Sequence, residues 1–547
     1  MKLKKYILSL SVAFCTLTLG TSCTDWLDEQ PNDKQSEEQQ FATKPGFYAA
    51  VNGVYDRMSG NSLYGQNLSY EMIDVLGQRY EVNKTDEGSY YNYLRSLSNW
   101  DYSNETVMSV LSSIWGEAYQ TIMNINVVLK NLEEKGDILP VKEYKMLKGE
   151  MLAARAMIHF DLLRLFGPIY AKNPEGRGIP YNQSTKTSIL PILSAQEVLN
   201  DEILIDLLDA QELLLESDPV LTEGPRAEYD GDTMDNSQRY RQLRLNYYAT
   251  TLLVARAYLW AGDYANAATE ARKITDDEKV KQFFPHVDAG TLLANNIDPD
   301  RMFSTECLFG YYNKNRGLIY EDRFNGETAG KSLLAPRAGY INSLLFANET
   351  QDYRYMSQYT NGLTLEGEST MYMIKHKEIK DQNRDDVLSD TNDDEALLHA
   401  SKFHGTFCSL IKVSEAYYIL AEALGTPTSD IYNSADAWSY LSYIRQQRGA
   451  STTTGNDAAF TDLLTKEYIR EFTAEGQEFF YFKLITTFNM IYCTLTSRTI
   501  HILAVILELH FITSSLKWNT LRTAMYTVEI MSYPISAILT HSYYSHF

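Results

Sequence analysis

The sequence is short of cysteine, of positive charge and of any catalytic signature. Its five cysteines, Cys15, Cys23, Cys307, Cys408 and Cys493, form no CxxC pair and no metal-ligand spacing. Neither a disulfide framework nor a zinc site is indicated. Lys and Arg number 49 against 71 Asp and Glu, a net charge of −22. That balance argues against nucleic acid, whose phosphates need a basic surface. No HExxH, GxSxG, Walker loop or helix-opening GxGxxG occurs, and the nine histidines are scattered; neither an enzyme nor a cofactor is expected. Paired carboxylates could serve glycoside hydrolysis, but with 71 acids some pairing is inevitable. The acidic run from Asp381 to Glu395 lacks the glycine and the ligand alternation of a calcium loop and reads as a solvated loop.

Long apolar runs are also scarce. The run from Tyr6 to Leu19 is too short to span a bilayer, which takes about 20 residues. Lys2, Lys4 and Lys5 precede it and Gly20-Thr21-Ser22-Cys23 follows it, the layout of a secretory signal. Residues 1–22 are therefore expected to be a cleaved address, with Cys23 as a lipidation site. Residues 23–44, acidic and poor in aliphatics, are expected to be a tether.

What is abundant is helical periodicity. Phe47, Val51, Val54 and Met58 repeat at helical spacing, and a longer stripe runs from Val107 through Ile114, Ala118, Ile122 and Ile125 to Leu132, with Gly136 placed for its end. Residues 141–166 form a third helix, ended by Gly167-Pro168. Ser194 and Glu197 have capping-box spacing and open a fourth, with Leu193 and Val198 as a hydrophobic staple.

The segment Ala257 to Ala267 is more specific: small residues for close helix packing, Gly262-Asp263 for the turn, then Tyr264 and Ala267 on a return helix. That is the logic of a tetratricopeptide repeat. It recurs more loosely in Val413–Gly425 followed by Ser434–Arg448, with Gly449 as the stop. The expected fold is mainly α, a tetratricopeptide-like scaffold of helical pairs with long irregular loops and a few short strands. Residues 275–405 read as a loop-rich insertion, in which Cys307–Tyr312 and Thr370–Ile374 are short strands. His159, between Arg155 and Asp161, reads as a packed structural histidine, and Trp115, Tyr119, Arg155 and Glu475 read as scaffold.

Taken together these motifs resemble the SusD/RagB family of outer-membrane nutrient-binding lipoproteins. The resemblance is carried by Cys23 with Asp25-Trp26-Leu27-Asp28; by Trp115, Tyr119 and Asn126; by Arg155-Ala156 and Asp161 to Pro168; and by Ala257 to Tyr264. Ser414 to Tyr417 with Ala421 to Ala423, Leu441 to Gly449 and Glu467 to Gln477 complete it, in the family's order over residues 23–483. It implies a SusD-like binding domain at 45–483 whose loops hold an oligosaccharide or similar nutrient. It further implies a lipid anchor in the cell outer membrane, facing the exterior, and a partner, a SusC-like TonB-dependent transporter of the Bacteroidota. A second expectation is a non-enzymatic lid of that transporter with peptide or other cargo.

Sugar binding needs flat aromatic faces and directed hydroxyl partners. In the stretch where such relatives carry ligand contacts, this chain offers Asp74, Arg79, Tyr80, Tyr90, Tyr91, Tyr93 and Trp100. Tyr311, Tyr312 and Tyr320 in the insertion are second candidates, drawn from 40 tyrosines in all. Packing or transporter contact is the alternative role for each. The resemblance stops near Lys483. The 64 residues 484–547 contain no Gly, no Asp and only Glu508 and Glu529 as acids. This tail is expected to be read out of frame or replaced, the alternative being a genuine hydrophobic element.

Overall fold

The computed structural model describes residues 37–485 apart from 83–87, 187, 227–235, 294–298, 314–315, 329–331, 364–368 and 378–405. The signal, Cys23, most of the tether, the acidic run after Asp381 and the atypical tail beyond Ile485 lie outside the described residues. Two compact units divide the chain between Ala50 and Val51. In the first, Phe41 packs edge-on against Phe47 at 5.0 Å. The second holds the scaffold and the insertion.

The helices that build the scaffold and position the site are α1 Lys44–Met58, α2 Met72–Leu76, α3 Ser89–Ser98, α4 Glu105–Lys135 and α5 Val141–Phe166. They continue with α6 Leu204–Ser217, α7 Tyr247–Ala261 and α8 Tyr264–Thr275. After four strands come α9 Val413–Gly425, α10 Ser434–Gln447, α11 Asp457–Glu471 and α12 Glu478–Ile485. Asn104 starts α4 by accepting from the Thr106 and Val107 N–H groups at 3.0 and 3.2 Å, which satisfies two of the orphan donors of a helix start. Its buried stripe of Ile114, Ala118, Ile122, Ile125, Leu129 and Leu132 faces α5.

Gly136 caps α4 as expected, at φ −70°, and leads into a 3₁₀ turn. Glycine is required there because a Cβ would lie 2.6 Å from the Tyr144 ring. The capping box forms as expected, with Ser194 N–H on Glu197 Oε2 at 2.8 Å and Glu197 N–H on Ser194 Oγ at 3.1 Å. The helix it opens begins as π-helical turns, Glu197–Ile203, before α6 proper.

The α7–α8 hairpin turns at Gly262, φ +77°, and Asp263 accepts from the Asn266 N–H at 3.1 Å to start the return helix. Helix α8 packs against α9, and α9 against α10. The two helical blocks that bracket residues 275–405 thus meet directly, and the insertion is looped out from a continuous stack. Strand β1, Cys307–Tyr312, closes its base by pairing antiparallel with β4, Phe407–Lys412, in the register Tyr312↔Phe407 to Cys307↔Lys412. Strands β2, Tyr359–Leu363, and β3, Ser369–Met373, form a separate antiparallel hairpin. The strands read from the sequence at 307–312 and near 370–374 are therefore present.

Charge, rather than apolar packing alone, joins the insertion to the C-terminal helices. Arg354 bonds Asp352, Glu467 and Glu471. Arg448 bonds Glu306 and Glu471. Lys412 reaches Glu471 and Glu475, and Lys375 reaches Glu475. Arg445 and Arg470 share Glu349 and Glu467. These six cations and six carboxylates balance, and all but Glu349 are buried. Burial would raise the Glu306 and Glu467 carboxyls, yet the arginines around them, with His286 at Glu306, outweigh it and hold both at about 2.

Candidate functional site

The stretch 70–100 and the insertion residues around 320–337 are far apart in the sequence and converge in the fold. Tyr80 forms a β-bridge with Pro336, and Phe324 packs against Tyr70 and Tyr80 with ring centroids at 5.9 and 6.2 Å. At the half-exposed edge of this junction Arg323 donates from Nε to Glu71 Oε2 at 2.8 Å. Its guanidinium lies over the Tyr90 ring at 5.1 Å. Tyr90 in turn stands 6.1 Å from Tyr93, one helical turn further along α3. Burial and the neighbouring Glu71 carboxylate push both phenols above their usual range.

The backbone nearby is strained. Gln78 and Trp100 occupy the left-handed region, φ 66° and 53°, which bulky residues rarely enter. Gln78 is held by Ser98, its Nε2 donating to the Ser98 carbonyl at 2.7 Å, and by Arg337 Nη2 at 3.2 Å. The hydroxyl of Tyr93 and the indole N–H of Trp100 are buried and have no partner among the described residues.

The expected residues separate into two groups. Tyr90, half-buried, lies at the converging edge beside Tyr93, while Tyr93 and Trp100 are themselves buried. Asp74, Arg79 and Tyr80 are internal ties, and burial takes them out of reach of a ligand. Asp74 accepts from the Ala474 N–H at 3.0 Å; Arg79 bonds Tyr359 and Thr473 and faces Glu478 at 3.7 Å; Tyr80 donates to the Tyr70 carbonyl at 2.7 Å. The reason is α12, whose Glu478 sits beside α2 and turns this polar pair inward. Tyr91 and Tyr311 are also buried, the latter opposite Cys408 on the β1–β4 ribbon, and Tyr312 is half-buried. Tyr320 is buried beneath Lys377, whose Nζ lies 5.9 Å from its ring.

Glu71 and Arg323 were outside the expected set. Their only trace in the sequence is position, one beside Tyr70 and the other three residues past Tyr320. The residues assigned to scaffold behave as such: Tyr119 donates to the Pro180 carbonyl at 2.6 Å, and Arg155 forks onto Asp206 at 2.6 and 2.8 Å. His159 donates from Nδ1 to the Arg155 carbonyl, accepts from the Asn182 N–H and stacks on Tyr181 at 3.9 Å. Burial lowers it to about 3, so it stays neutral.

Stacked helical hairpins thus carry a loop-built edge of aromatic and ion-paired side chains. Over residues 25–222 the chain matches the SusD-like family described as starch-binding and associating with the outer membrane. SusD-like protein P2 of Formosa agariphila is 24% identical over 277 residues, 50% of this chain and 47% of that one. SusD-like protein P25 of the same organism is 24% identical over 157 residues, 28% and 29% of the two chains. The matches thus span about half or less of these relatives' length. Among solved structures, a SusD superfamily protein of Bacteroides thetaiotaomicron aligns with TM-score 0.58 at 17% identity, covering 82% of this chain and 91% of that one. A laminarin-binding SusD-like protein aligns with TM-score 0.54 at 16% identity, covering 81% and 91%. Over residues 25–222 the chain is thus similar in sequence to the SusD-like family, and its mainly helical fold is that of the SusD superfamily structures.

Proposed function

We propose that this protein is a non-catalytic outer-membrane lipoprotein that captures a glycan and passes it to a TonB-dependent transporter. The observation that carries the reading is the junction of Tyr90 and Tyr93 with Arg323 and Glu71. The half-buried Tyr90 offers aromatic surface for the apolar side of a sugar ring, and Arg323, held by Glu71, offers donors for its hydroxyls. The printed descriptions of the family and of the laminarin-binding neighbour support carbohydrate as the ligand class. Cys23 carries the lipid in this reading, and residues 45–483 form the binding domain.

The test is a glycan panel with the full chain, followed by Tyr90→Ala and Arg323→Ala. Each variant is expected to weaken binding about tenfold, the loss typical of an aromatic or arginine anchor, with thermal unfolding little changed in Tyr90→Ala and lowered in Arg323→Ala, which leaves Glu71 unpaired. Membrane fractionation of Cys23→Ser reads the anchor, and co-purification of a barrel reads the transporter. A folded chain that binds nothing on the panel and brings down no barrel rejects the proposal.

A further inference from the structure

Arg323 is the cation at the edge of the candidate site, and it does not meet a ligand alone. Its Nε–H is taken by the buried Glu71 carboxylate at 2.8 Å and its Nη1 by the Asp322 carbonyl at 3.1 Å. Two of the guanidinium's five donors are engaged, and the side chain is 23% exposed. The same turn carries Glu321 and Asp322, and Glu327 follows it. Glu321 is held in place by Asn325 and Thr328, at 2.6 and 2.7 Å, and Asp322 and Glu327 are exposed. Among the described residues nearby, Lys377 is stationed over the Tyr320 ring and Arg337 is bonded to Gln78 and to the Tyr80 carbonyl.

A ligand carboxylate or sulfate approaching Arg323 must therefore share it with Glu71, and two anions on one cation repel. A sugar diol meets no such conflict. Its hydroxyl oxygens can accept from the free guanidinium N–H groups without bringing a second anion to the cation, and each such bond gains from the charge it touches.

Resting on the glycan-binding reading above, we propose that Glu71 is a specificity residue: by occupying Arg323 it makes the site take uncharged glycans and reject uronate- or sulfate-bearing ones. Glu71 is a buried fixture of the site, 4% exposed, while Arg323 is the part that a ligand reaches.

The experiment compares the full chain with Glu71→Gln, and with Glu71→Gln combined with Arg323→Gln. The probes are neutral oligosaccharides and uronate or sulfated oligosaccharides of matched length, at low and at physiological salt. The wild-type chain is expected to bind neutral members at least about tenfold tighter than their charged counterparts, since like charges brought together at an interface repel. Glu71→Gln is expected to raise charged-glycan affinity by about the same factor, most strongly at low salt, because the guanidinium is released. The double variant is expected to lose that gain, which a general loosening of the fold would not do. Preference of the wild-type chain for charged glycans, or an unchanged ratio in Glu71→Gln, overturns this inference and leaves the glycan-binding reading standing. Failure of the folded chain to bind either set overturns both.

Discussion

The α7–α8 hairpin and the junction between the insertion and α9–α11 are equally buried and are held by opposite chemistry. In the hairpin Ala249, Ala255, Ala257, Ala267, Ala268 and Ala271 are all fully buried, and the helices approach because nothing larger separates them. In the junction arginines and lysines with no solvent access sit among carboxylates, each cation meeting at least one partner. Alanine packing tolerates sliding, since one methyl resembles the next. A fork of Arg354 on Asp352, Glu467 and Glu471 does not, because a shifted register leaves a buried charge unpaired. The hairpin keeps a single such tie to α9, Arg256 forking onto Glu415 at 2.6 and 2.7 Å, whereas the junction's many ties fix where the insertion, with its Arg323-bearing turn, lands.

The largest expected effect comes from opening that network. Glu471 serves Arg354, Lys412 and Arg448 at once and also accepts from Ser414 Oγ at 2.8 Å. Glu471→Ala is expected to destabilise the protein by about 3–5 kcal/mol, the range for removing one partner of a buried pair, read from the urea midpoint by circular dichroism. A loss below about 1 kcal/mol, the range of an exposed pair, would show that water reaches the network and would end the contrast between the two regions.

Acid tests the same region without a mutation. Glu306 and Glu467 sit at about 2 in the folded protein against an ordinary 4.5. The folded state then binds fewer protons than the unfolded one between those values, so their contribution is intact above 4.5 and lost as pH falls toward 2. Unfolding followed from pH 6 down to pH 2 is expected to show a steep loss below about 4.5. In Glu467→Gln that slope is expected to be shallower, from a lower starting stability.

How much of this was legible beforehand follows the same division. Ala257 to Ala267 announced its hairpin because close packing writes itself as small residues around a glycine turn. Residues 141–166 and strand 307–312 were legible for similar reasons, a long apolar period in one and a short apolar run in the other. Arg354 and Glu467 were not, since in a chain with 71 acids no spacing marks which carboxylate meets which guanidinium. Nor was Asp74 or Arg79 distinguishable from a surface residue until α12 was seen to cover them. The candidate site was half legible: Tyr90 and Tyr93 stood out as aromatics, whereas Arg323 joins them only through a contact between distant segments.

Overpacking probes the apolar side of the comparison. Ala257 is fully buried on α7, and Ala257→Leu is expected to lose about 1–3 kcal/mol as helices are forced apart. The loss should appear in the unfolding midpoint, with glycan binding by the folded fraction unchanged, because the hairpin holds no part of the Arg323 edge. A binding defect equal to that of Arg323→Ala would mean that the stack and the site move as one.

The finest comparison uses two glycines with the same backbone and different surroundings. Gly262 at φ +77° and Gly449 at φ +68° both stand in the left-handed region just beyond a helix, α7 for one and α10 for the other. A Cβ at Gly262 meets nothing within 4 Å, so Gly262→Ala carries only the backbone penalty, about 1 kcal/mol. A Cβ at Gly449 would lie 2.4 Å from the Tyr353 ring, and the Tyr353 N–H is already tied to the Arg448 carbonyl at 2.8 Å. Gly449→Ala must therefore displace the residue next to Arg354 and is expected to lose clearly more. Asparagine, which enters the left-handed region readily, should recover most of the loss at 262 and little at 449. Equal losses for the two alanines, measured by thermal unfolding, would mean that the insertion yields at Tyr353 as freely as solvent does beside Gly262, and that the ion network does not hold it rigidly in place.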